Sequence, residues 1–408
     1  MQETHLNPLP IAATFSKDPS FWGVDFEPQY IVHGDGSHVL GSDGRIYLDW
    51  VSALGSNLLG YNYQEFVLRV QRQVGLGAGF SLPHWLEQQV AEKIVTLLGT
   101  HVSGWNPEGL GLRFGKTGTD ATTMAVRLAR AVTGRERILS SGYHGWGSWS
   151  ISKTPPAWGV LEEGVFDFPF NDLDKLAFCL DAYSPVAAVI LEQPMQNPNP
   201  GYYAGLRKLC DEHGALLILD EVVTGFRYAL GGAAEVYGVE PDIACYGKSL
   251  GNGMAISCIV GRREYFDWFS RNDPVFVSST HFGNAVDLAA ADAVLDIWGE
   301  AQVAHLWRIG LDLMDGLKVA GYDVIGHGPR SLIQHKTPYE RAFFITGMRD
   351  RGFLMNRPNI PNLAHSSWDV MKTIATALEV KAEMLNCGPE ELEAKMKDKL
   401  PRVLFEGR

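Results

Sequence analysis

The sequence predicts an α/β fold in which a mainly parallel central sheet lies between helices. Between about residues 110 and 285, short apolar runs alternate with segments whose apolar residues recur with the helical period. This alternation is typical of βαβ units and a parallel sheet. The chain has 408 residues, which is longer than one hydrophobic core usually grows. A main domain with a second, smaller one is therefore expected.

The order of elements follows from apolar runs and turn signals. The first forty or so residues are rich in aromatic residues and turn formers and are expected to be irregular. A hairpin turn at residues 42–45 precedes a predicted strand at 46–50. Strands of the central sheet are predicted at residues 138–139, 186–191, 216–219 and 256–260. One long helical stretch is predicted from about residue 285 to 320, and a mixed tail with a short strand near 351–355 follows it.

Composition and charge argue against several classes of protein. With 46% hydrophobic and 20% charged residues the chain resembles an ordinary soluble globular protein. The formal net charge of −12 argues against nucleic acid or an anionic membrane as partner. No apolar run approaches bilayer-spanning length, and the first residues lack the features of a signal peptide. The five cysteines form no Cys-x-x-Cys pair, so we expect neither disulfides nor a zinc site. This cysteine usage predicts a location in the reducing cytoplasm.

Two charged residues lie where such a sheet usually binds ligands. Asp220 directly follows the apolar run at residues 215–219, and Lys248 lies in the glycine-rich segment 246–254. Open α/β sheets bind ligands at the carboxyl ends of their strands. A carboxylate there would pair with the protonated pyridine nitrogen of pyridoxal phosphate, and a lysine would hold the aldehyde as a Schiff base. The alternative is that Asp220 caps the next helix and that Lys248 is solvated.

A phosphate site is predicted near residue 118. The segment 114–120 precedes a helix whose apolar face is formed by Ala121, Met124, Leu128 and Val132. Gly118 and Thr119 are therefore expected at a helix N-terminus, where unpaired N–H groups and the helix dipole favour an anion. A plain N-cap without a ligand is the alternative.

A nucleotide-binding P-loop is excluded by the spacing of its residues. Lys116 and Lys248 each lie between a glycine and a hydroxyl residue, as the end of that motif requires. The first glycine of the motif is missing in both cases, because Leu110 and Asp242 occupy its position.

Three further residues would complete a site for a planar ring. Tyr143 follows the strand near residues 138–139, and its ring would lie on one face of a pyridine, with Val222 packing behind it. Glu192 ends the run at 186–191 and would orient Asp220 or the ring hydroxyl. Taken alone, a tyrosine in such a loop serves packing more often than catalysis, and Glu192 is also compatible with capping a turn.

Together these segments resemble the class III pyridoxal-phosphate-dependent aminotransferases of fold type I, in particular the glutamate-1-semialdehyde aminomutase-like members. The resemblance extends from residue 44 to residue 366 and is strongest at residues 219–227, 237–242 and 247–248. It implies a mainly parallel central sheet flanked by helices, with a smaller α+β domain made of the N- and C-terminal segments. The implied ranges are 1–50 for the N-terminal segment, 51–290 for the cofactor-binding domain and 291–408 for the C-terminal part.

Position by position, the resemblance also implies roles for individual residues. Lys248 would form the Schiff base, and Asp220 would pair with the ring nitrogen. The other implied cofactor contacts are Gly118 and Thr119 at the phosphate, Tyr143 and Val222 on the ring faces, and Glu192 supporting Asp220. Residues 279–284 match a family segment that crosses to the neighbouring subunit, which gives Thr280 a phosphate contact in a homodimer.

The implied reaction is transfer of an amino group from an amine donor to a carbonyl acceptor in two half-reactions, through a pyridoxamine phosphate intermediate. A free lysine, with a pKa of roughly 10.4, is protonated and cannot attack a carbonyl. Once an incoming amine displaces it from the imine, Lys248 becomes a base that moves the proton of the substrate carbon. An intramolecular aminomutase uses the same residues and is the alternative, and a binding protein that has lost catalysis is a remote one.

The substrate positions depart from the aminomutase pattern. Between residues 21 and 46 no arginine precedes Arg45, whereas the mutases carry one there for the substrate carboxylate. Residues 357–362 contain no acid in place of the mutase gate residue, although the cofactor motifs are kept. Transfer from an amine or amino sugar-like compound is therefore favoured over mutation. Substrate-pocket residues are suggested by position alone: Phe80, His84, Trp85, Trp146 and Arg227.

Overall fold

A computed structural model describes residues 28, 30–151, 164–270, 275–356 and 358–401. Most of the N-terminal stretch predicted to be irregular lies outside these residues. The strands are β1 (Ile31–Asp35), β2 (His38–Gly41), β3 (Ile46–Asp49), β4 (Leu110–Gly115), β5 (Arg137–Ser141), β6 (Val165–Asp167), β7 (Val186–Glu192), β8 (Leu216–Asp220), β9 (Ile243–Tyr246), β10 (Ser257–Arg262), β11 (Asp323–His327), β12 (Arg330–Gln334) and β13 (Phe353–Leu354). The α-helices are α1 (Gln64–Leu76), α2 (Trp85–His101), α3 (Gly118–Thr133), α4 (Ser148–Ile151), α5 (Leu173–Ala182), α6 (Tyr202–His213), α7 (Ala233–Tyr237), α8 (Arg263–Phe266), α9 (Ala285–Ile297), α10 (Glu300–Val319), α11 (Pro338–Asp350), α12 (Ser367–Asn386) and α13 (Pro389–Met396).

The central sheet has seven strands in the order β4-β10-β9-β8-β7-β5-β6. Five neighbouring strands pair in parallel, in the order β6-β5-β7-β8-β9. Strand β10 runs antiparallel to both β9 and β4. The middle strands are buried along nearly their whole length, which explains why they read as continuous apolar runs. The predicted mainly parallel sheet between helices is confirmed.

A smaller sheet joins the two ends of the described chain. Its order is β1-β2-β3-β13, and β13 of the C-terminal region pairs in parallel with β3. Tyr47 and Trp50 pack with apolar residues of α10, α11 and α12 in a second hydrophobic core. The Trp50 indole donates a 2.9 Å hydrogen bond to Thr373 Oγ1 inside that core. The smaller α+β unit is therefore built from both terminal segments, and the numerical domain boundaries stay a prediction.

Two expectations about secondary structure were wrong. The stretch predicted as one helix from about 285 to 320 contains two, because the chain is extended at Trp298 and α10 begins after Gly299. The Gln302 side chain accepts a 3.1 Å hydrogen bond from the Gly299 N–H, which fixes this new helix start. Residues 31–41 were expected to be irregular but form the hairpin of β1 and β2, which pairs with β3.

In the described part of the chain, no helix combines the length and the apolar character that crossing a bilayer requires.

The close packing of Gly310 in the smaller unit predicts that adding a single methyl group there lowers the stability of the protein. Gly310 of α10 lies against the backbone of Gly328, and a Cβ on Gly310 would overlap the Gly328 carbonyl oxygen. Gly310→Ala should lower the midpoint of thermal unfolding, since overpacking typically costs about 1–3 kcal/mol. The matched control is Gly75→Ala in α1, where a Cβ meets nothing within 4 Å. Because alanine favours a helix by about 1 kcal/mol over glycine, this variant should be at least as stable as the parent. Equal midpoints for the two variants would contradict the contact.

Candidate functional site

The polar residues singled out in the sequence meet at the carboxyl edge of the central sheet. Asp220 is the last residue of β8, and it is paired in register with Glu192, the last residue of β7. Tyr143 lies in the loop after β5, and Lys248 begins a single 3₁₀ turn shortly after β9. Because β5, β7, β8 and β9 are parallel, all four loops or strand ends lie on one side of the sheet.

Asp220 is buried and held by two hydrogen bonds. Its Oδ2 lies 2.8 Å from Nδ1 of His144, and its Oδ1 accepts a 3.1 Å bond from the backbone N–H of Val222. An ionised carboxylate can only accept, so Nδ1 of His144 must carry the proton and donate. His144 was not among the residues expected at the site. The available signal was its place beside Tyr143, after β5, a parallel strand of the same sheet.

Lys248 occupies a strained and half-buried position. Its φ is 40°, in the left-handed region that non-glycine residues rarely adopt. Such strain is concentrated at functional sites, where the surrounding structure maintains it. Burial lowers the pKa of the Lys248 amine, and the negative charge of Glu192 partly opposes this effect. A lowered pKa increases the neutral fraction of the amine, which is the form that attacks a carbonyl.

The predicted phosphate end lies beside this lysine. Helix α3 begins at Gly118, and Thr117 caps it by accepting a 3.1 Å bond from the Asp120 N–H. A Cβ on Gly118 would lie 2.6 Å from Cγ1 of Val222 and could not be accommodated. The position of Gly247, directly before Lys248, is also close, because its Cβ would lie 3.8 Å from the Gly118 nitrogen. The N-terminus of α3, Val222 and the lysine loop therefore adjoin one another.

The loop that carries Tyr143 closes over the same helix end. Gly142 and Gly145 both have positive φ, and a Cβ on Gly145 would overlap the hydroxyl of Thr119. The Tyr143 side chain is 41% exposed. The Tyr143 loop thus contacts Thr119, and Val222 contacts Gly118. Both predicted ring-contacting residues belong to segments that meet at the start of α3.

Glu192 has a different partner from the one expected. Its Oε1 accepts a 2.8 Å bond from Nη1 of Arg330, the first residue of β12. The orienting side-chain bond to Asp220 comes from His144 instead. Arg330 was missed because it is 138 residues from Glu192 and no local pattern marks it.

Arg227 does not fit the role of a substrate residue. It is fully buried, and its guanidinium donates a 2.7 Å bond to the Pro361 carbonyl and a 3.0 Å bond to the Gly55 carbonyl. Burial lowers its pKa to about 9. Because two backbone carbonyls accept hydrogen bonds from its terminal nitrogens, Arg227 links the segment after β8 to the segments that contain Gly55 and Pro361. The suggestion that it contacts substrate is therefore not supported.

The remaining candidates lie on the surface. Phe80, Trp85 and Trp146 are exposed, and the Phe80 ring stacks on His84 with ring centroids 5.3 Å apart. Thr280 is also exposed, in the segment that follows β10 and α8. In the described part of the chain, none of these four residues forms a hydrogen bond, an ion pair or a ring contact with Asp220 or Lys248.

The site has the features that bind pyridoxal phosphate. A buried carboxylate suits the protonated pyridine nitrogen, and a half-buried lysine beside it suits the aldehyde. A helix N-terminus suits the phosphate. The fit is supported by the close approach of Gly118 to Val222, because a side chain at residue 118 would displace the residue predicted to pack behind the ring.

Comparison with known proteins agrees with this chemistry. The family model for class III aminotransferases matches residues 23–327. A glutamate-1-semialdehyde 2,1-aminomutase of Symbiobacterium thermophilum is 32% identical over 88% of this chain and 91% of its own length. A 3-aminobutyryl-CoA aminotransferase of Cloacimonas acidaminovorans is 36% identical over 66% of this chain and 65% of its own. The solved structure of the FumI protein from Sphingopyxis sp. MTA144, in its PLP internal aldimine form, covers 97% of both chains at 26% identity with a TM-score of 0.84.

The hydrogen bond from His144 predicts a role in positioning Asp220. His144→Phe removes the donor, so Asp220 should lose its fixed orientation and kcat should fall about 10- to 100-fold, the range seen for residues that orient a ligand. His144→Asn can still donate and should recover part of this loss. The pH dependence of the visible absorption of bound cofactor is the second readout, because it should shift in His144→Phe.

A matched control is His213→Phe. His213 also hydrogen-bonds an aspartate, with 3.1 Å between its Nε2 and Oδ1 of Asp181, but it lies at the end of α6. This variant should keep the parental kcat and absorption profile. An unchanged absorption profile in His144→Phe would refute the positioning role.

Proposed function

The chain belongs to the class III aminotransferase family, and from this premise we propose that it moves an amino group from an amine donor to a carbonyl acceptor with pyridoxal 5′-phosphate. The observation that carries the proposal is the shared edge of the sheet on which buried Asp220 and half-buried Lys248 lie. When bound, the cofactor supplies an electron sink for the carbon that loses its proton.

The proposed role of each residue follows from its charge and burial. The amine of Lys248 binds the aldehyde group, and after release it moves a proton at the substrate carbon. Its lowered pKa supports that second role, since a neutral amine is a base and an ammonium is not. Asp220 holds a proton at the pyridine nitrogen, and His144 keeps the carboxylate in place. Gly118 and Thr119 bind the phosphate at the start of α3.

Intermolecular transfer is favoured over an aminomutase reaction. The aminomutase relative shares 32% identity, so the alternative has a specific basis. The sequence lacks the arginine and the acidic residue that the mutase pattern places around the substrate. An aminotransferase should release about one carbonyl product per site from an amine alone and turn over continuously only with an acceptor. Continuous conversion of glutamate-1-semialdehyde without an acceptor would favour the mutase.

We propose that the working unit is a homodimer in which Thr280 contacts the phosphate of the neighbouring site. The exposed position of Thr280 supports this assignment. Phe276, in the same segment, is 71% exposed, and a large exposed aromatic residue is typical of a surface that a second subunit covers.

A cytoplasmic location is also proposed. The five cysteines are free, and four of them are buried among apolar residues. Buried free thiols are typical of proteins in a reducing compartment. Cell fractionation with an antibody against the protein would test the location.

The catalytic assignment predicts distinct losses for two variants. Lys248→Ala should lose about 10²- to 10⁴-fold or more in turnover, the contribution of a general base, and should no longer hold the cofactor covalently. Asp220→Asn should bind cofactor but react slowly, because an amide does not stabilise the protonated ring nitrogen. Steady-state rates and visible spectra measure both effects. The control Lys208→Ala, on an exposed lysine of α6, should match the parent. Near-normal turnover of Lys248→Ala would overturn the assignment.

The dimer proposal predicts complementation between two defective chains. Thr280→Val should weaken cofactor binding, and Lys248→Ala should be inactive. In a mixed dimer one site would receive both defects, and the other would combine Lys248 of one chain with Thr280 of its partner. Mixed dimers should therefore regain activity at limiting cofactor, with one parental site per dimer. If Thr280 acts within its own chain, mixing restores no parental site and activity stays low.

A further inference from the structure

Helix α12 carries an exposed apolar stripe on the outer surface of the smaller unit. The inner face of the helix, which includes Val370, Ala377 and Val380, packs in the second hydrophobic core. On the outer face, apolar residues recur at alternating intervals of three and four positions along nearly the whole helix. We call this set the α12 stripe, and its members are Trp368, Met371, Ala375, Leu378, Ala382 and Leu385.

The α12 stripe is open to solvent in the described chain. Trp368, Met371, Leu378 and Leu385 are 59%, 58%, 47% and 71% exposed, and the two alanines are exposed as well. A helix at the surface of a globular protein normally presents charged and polar residues on its outer face. Single exposed apolar residues are ordinary, but a continuous row of them indicates a surface that binds a partner. Alternating intervals of three and four are the spacing by which two helices pack as a coiled coil.

This stripe is separate from the surface that carries Thr280. The segment of Thr280 leads into α9, whose first residue donates a 2.8 Å hydrogen bond from its N–H to the Ala78 carbonyl. The exposed aromatic residues that follow Ala78 along the chain, Phe80 and Trp85, belong to this region. Helix α12 instead packs against α10 and α11 in the smaller unit. A contact between copies built around Thr280 therefore does not explain the α12 stripe.

The shape of the stripe is complementary to itself when two copies of α12 pack antiparallel. A two-fold axis through the middle of the helix places Met371 opposite Ala382 of the second copy, and Ala375 opposite Leu378 of the second copy. Each large side chain then meets a small one, and the largest residues meet at the two ends. A parallel arrangement would put alanine against alanine and leucine against leucine, which leaves gaps beside crowded layers. The stripe therefore fits an isologous contact, in which both copies use the same surface.

Charge favours the same arrangement. Lys372 and Glu379 are exposed and lie seven positions apart on one side of the stripe. In the antiparallel arrangement Lys372 of each copy faces Glu379 of the other, which gives two opposite-charge pairs. In a parallel arrangement Lys372 would face Ser367 and Glu379 would face Ile374, so no such pair forms. Nζ of Lys372 lies 5.2 Å from the centroid of the Trp368 ring, which keeps this charge beside the stripe.

The outer face of α12 is also electrically balanced, although the chain has a formal net charge of −12. Two lysines and two glutamates lie on or beside this face, and they are Lys372, Glu379, Lys381 and Glu383. Copies of an acidic chain repel each other, and a balanced face is a surface where this repulsion opposes association least.

We propose that the α12 stripe is an interface between two copies of this chain, whose α12 helices pack antiparallel about a two-fold axis. The contact does not depend on the proposed amino transfer. Together with the contact at Thr280, it joins two dimers into a tetramer.

The first test places a carboxylate in the middle of the stripe. In Leu378→Glu the two introduced charges lie near each other across the two-fold axis. Like charges brought together in an interface should weaken the association at least about 100-fold. Sedimentation equilibrium over a range of protein concentrations measures the mass, and circular dichroism checks the fold. The parent should be a tetramer and Leu378→Glu a dimer of half its mass.

The matched control is Phe178→Glu. Phe178 is an apolar residue of α5 that is 58% exposed and lies outside the α12 stripe, so this variant should keep the parental mass. Equal masses of the parent and Leu378→Glu at every concentration would overturn the proposal. If only the contact at Thr280 is wrong, the parent should be a dimer and Leu378→Glu a monomer. The two interfaces are therefore tested separately.

A second test exchanges charges and covers the case in which Leu378→Glu does not fold. Lys372→Glu and Glu379→Lys each convert both opposite-charge pairs into like-charge pairs. Each variant alone should therefore associate about 10-fold more weakly than the parent. An equimolar mixture of the two variants restores both opposite-charge pairs between unlike copies and should regain the parental mass. A mixture that keeps the mass of the separate variants would overturn the antiparallel contact.

The control for this exchange is Glu383→Lys. Glu379 and Glu383 both contact Arg351 of their own chain, and Oε2 of Glu379 lies 3.6 Å from Nε of that arginine. Glu383 lies outside the stripe, one helical turn beyond the residue that faces Lys372 of the second copy. Its reversal removes the same kind of contact with Arg351 and should leave the parental mass. A mass as low as that of Glu379→Lys would assign the effect to Arg351 and overturn the pairing of charges between copies.

Discussion

Buried charge at the carboxyl edge of the central sheet is the constraint on which the site depends. The parallel strands carry Glu192 and Asp220 to adjacent positions, where two uncompensated carboxylates would repel each other and lose hydration. The structure gives each carboxylate its own partner, His144 for Asp220 and Arg330 for Glu192. Because the partners differ in kind, the two acids are suited to different tasks. Asp220 receives a fixed hydrogen bond, whereas Glu192 neutralises a permanent cation.

Close backbone contacts set the second condition. The start of α3 approaches Val222 and the loop before Lys248 so closely that a Cβ at residue 118 is excluded. Lys248 itself takes a left-handed backbone conformation, which costs energy for a residue with a side chain. These two features place the helix N-terminus and the amine on neighbouring segments. The elements proposed to hold an anion and the element proposed to supply a base are therefore fixed by the same packing.

The sequence predicts those parts of this arrangement that depend on residues close together along the chain. Buried strands appear as apolar runs, and the residues that end them, Asp220 and Glu192, can be read directly from those runs. The start of α3 at Gly118 follows from helical periodicity and turn residues. What could not be predicted depends on contacts between distant segments. The partner of Glu192 comes from a hairpin 138 residues away, and the buried state of Arg227 depends on carbonyls at Gly55 and Pro361. The break at Gly299 was missed because apolar periodicity continues on both sides of it.

The same distinction explains why the motifs identify the cofactor more sharply than the substrate. The groups proposed to contact the cofactor lie on consecutive segments at one edge of the sheet, so they form a recognisable order along the sequence. Arg330 and the carbonyls that hold Arg227 belong to segments outside that sheet, and each arginine is held by a pair of long-range contacts. A substitution in the β11–β12 hairpin can therefore change the charge beside Glu192 while Asp220, His144 and Lys248 keep their positions. Groups that reach the site from outside the sheet carry the weakest sequence signal, and their contacts can be identified only in the folded chain.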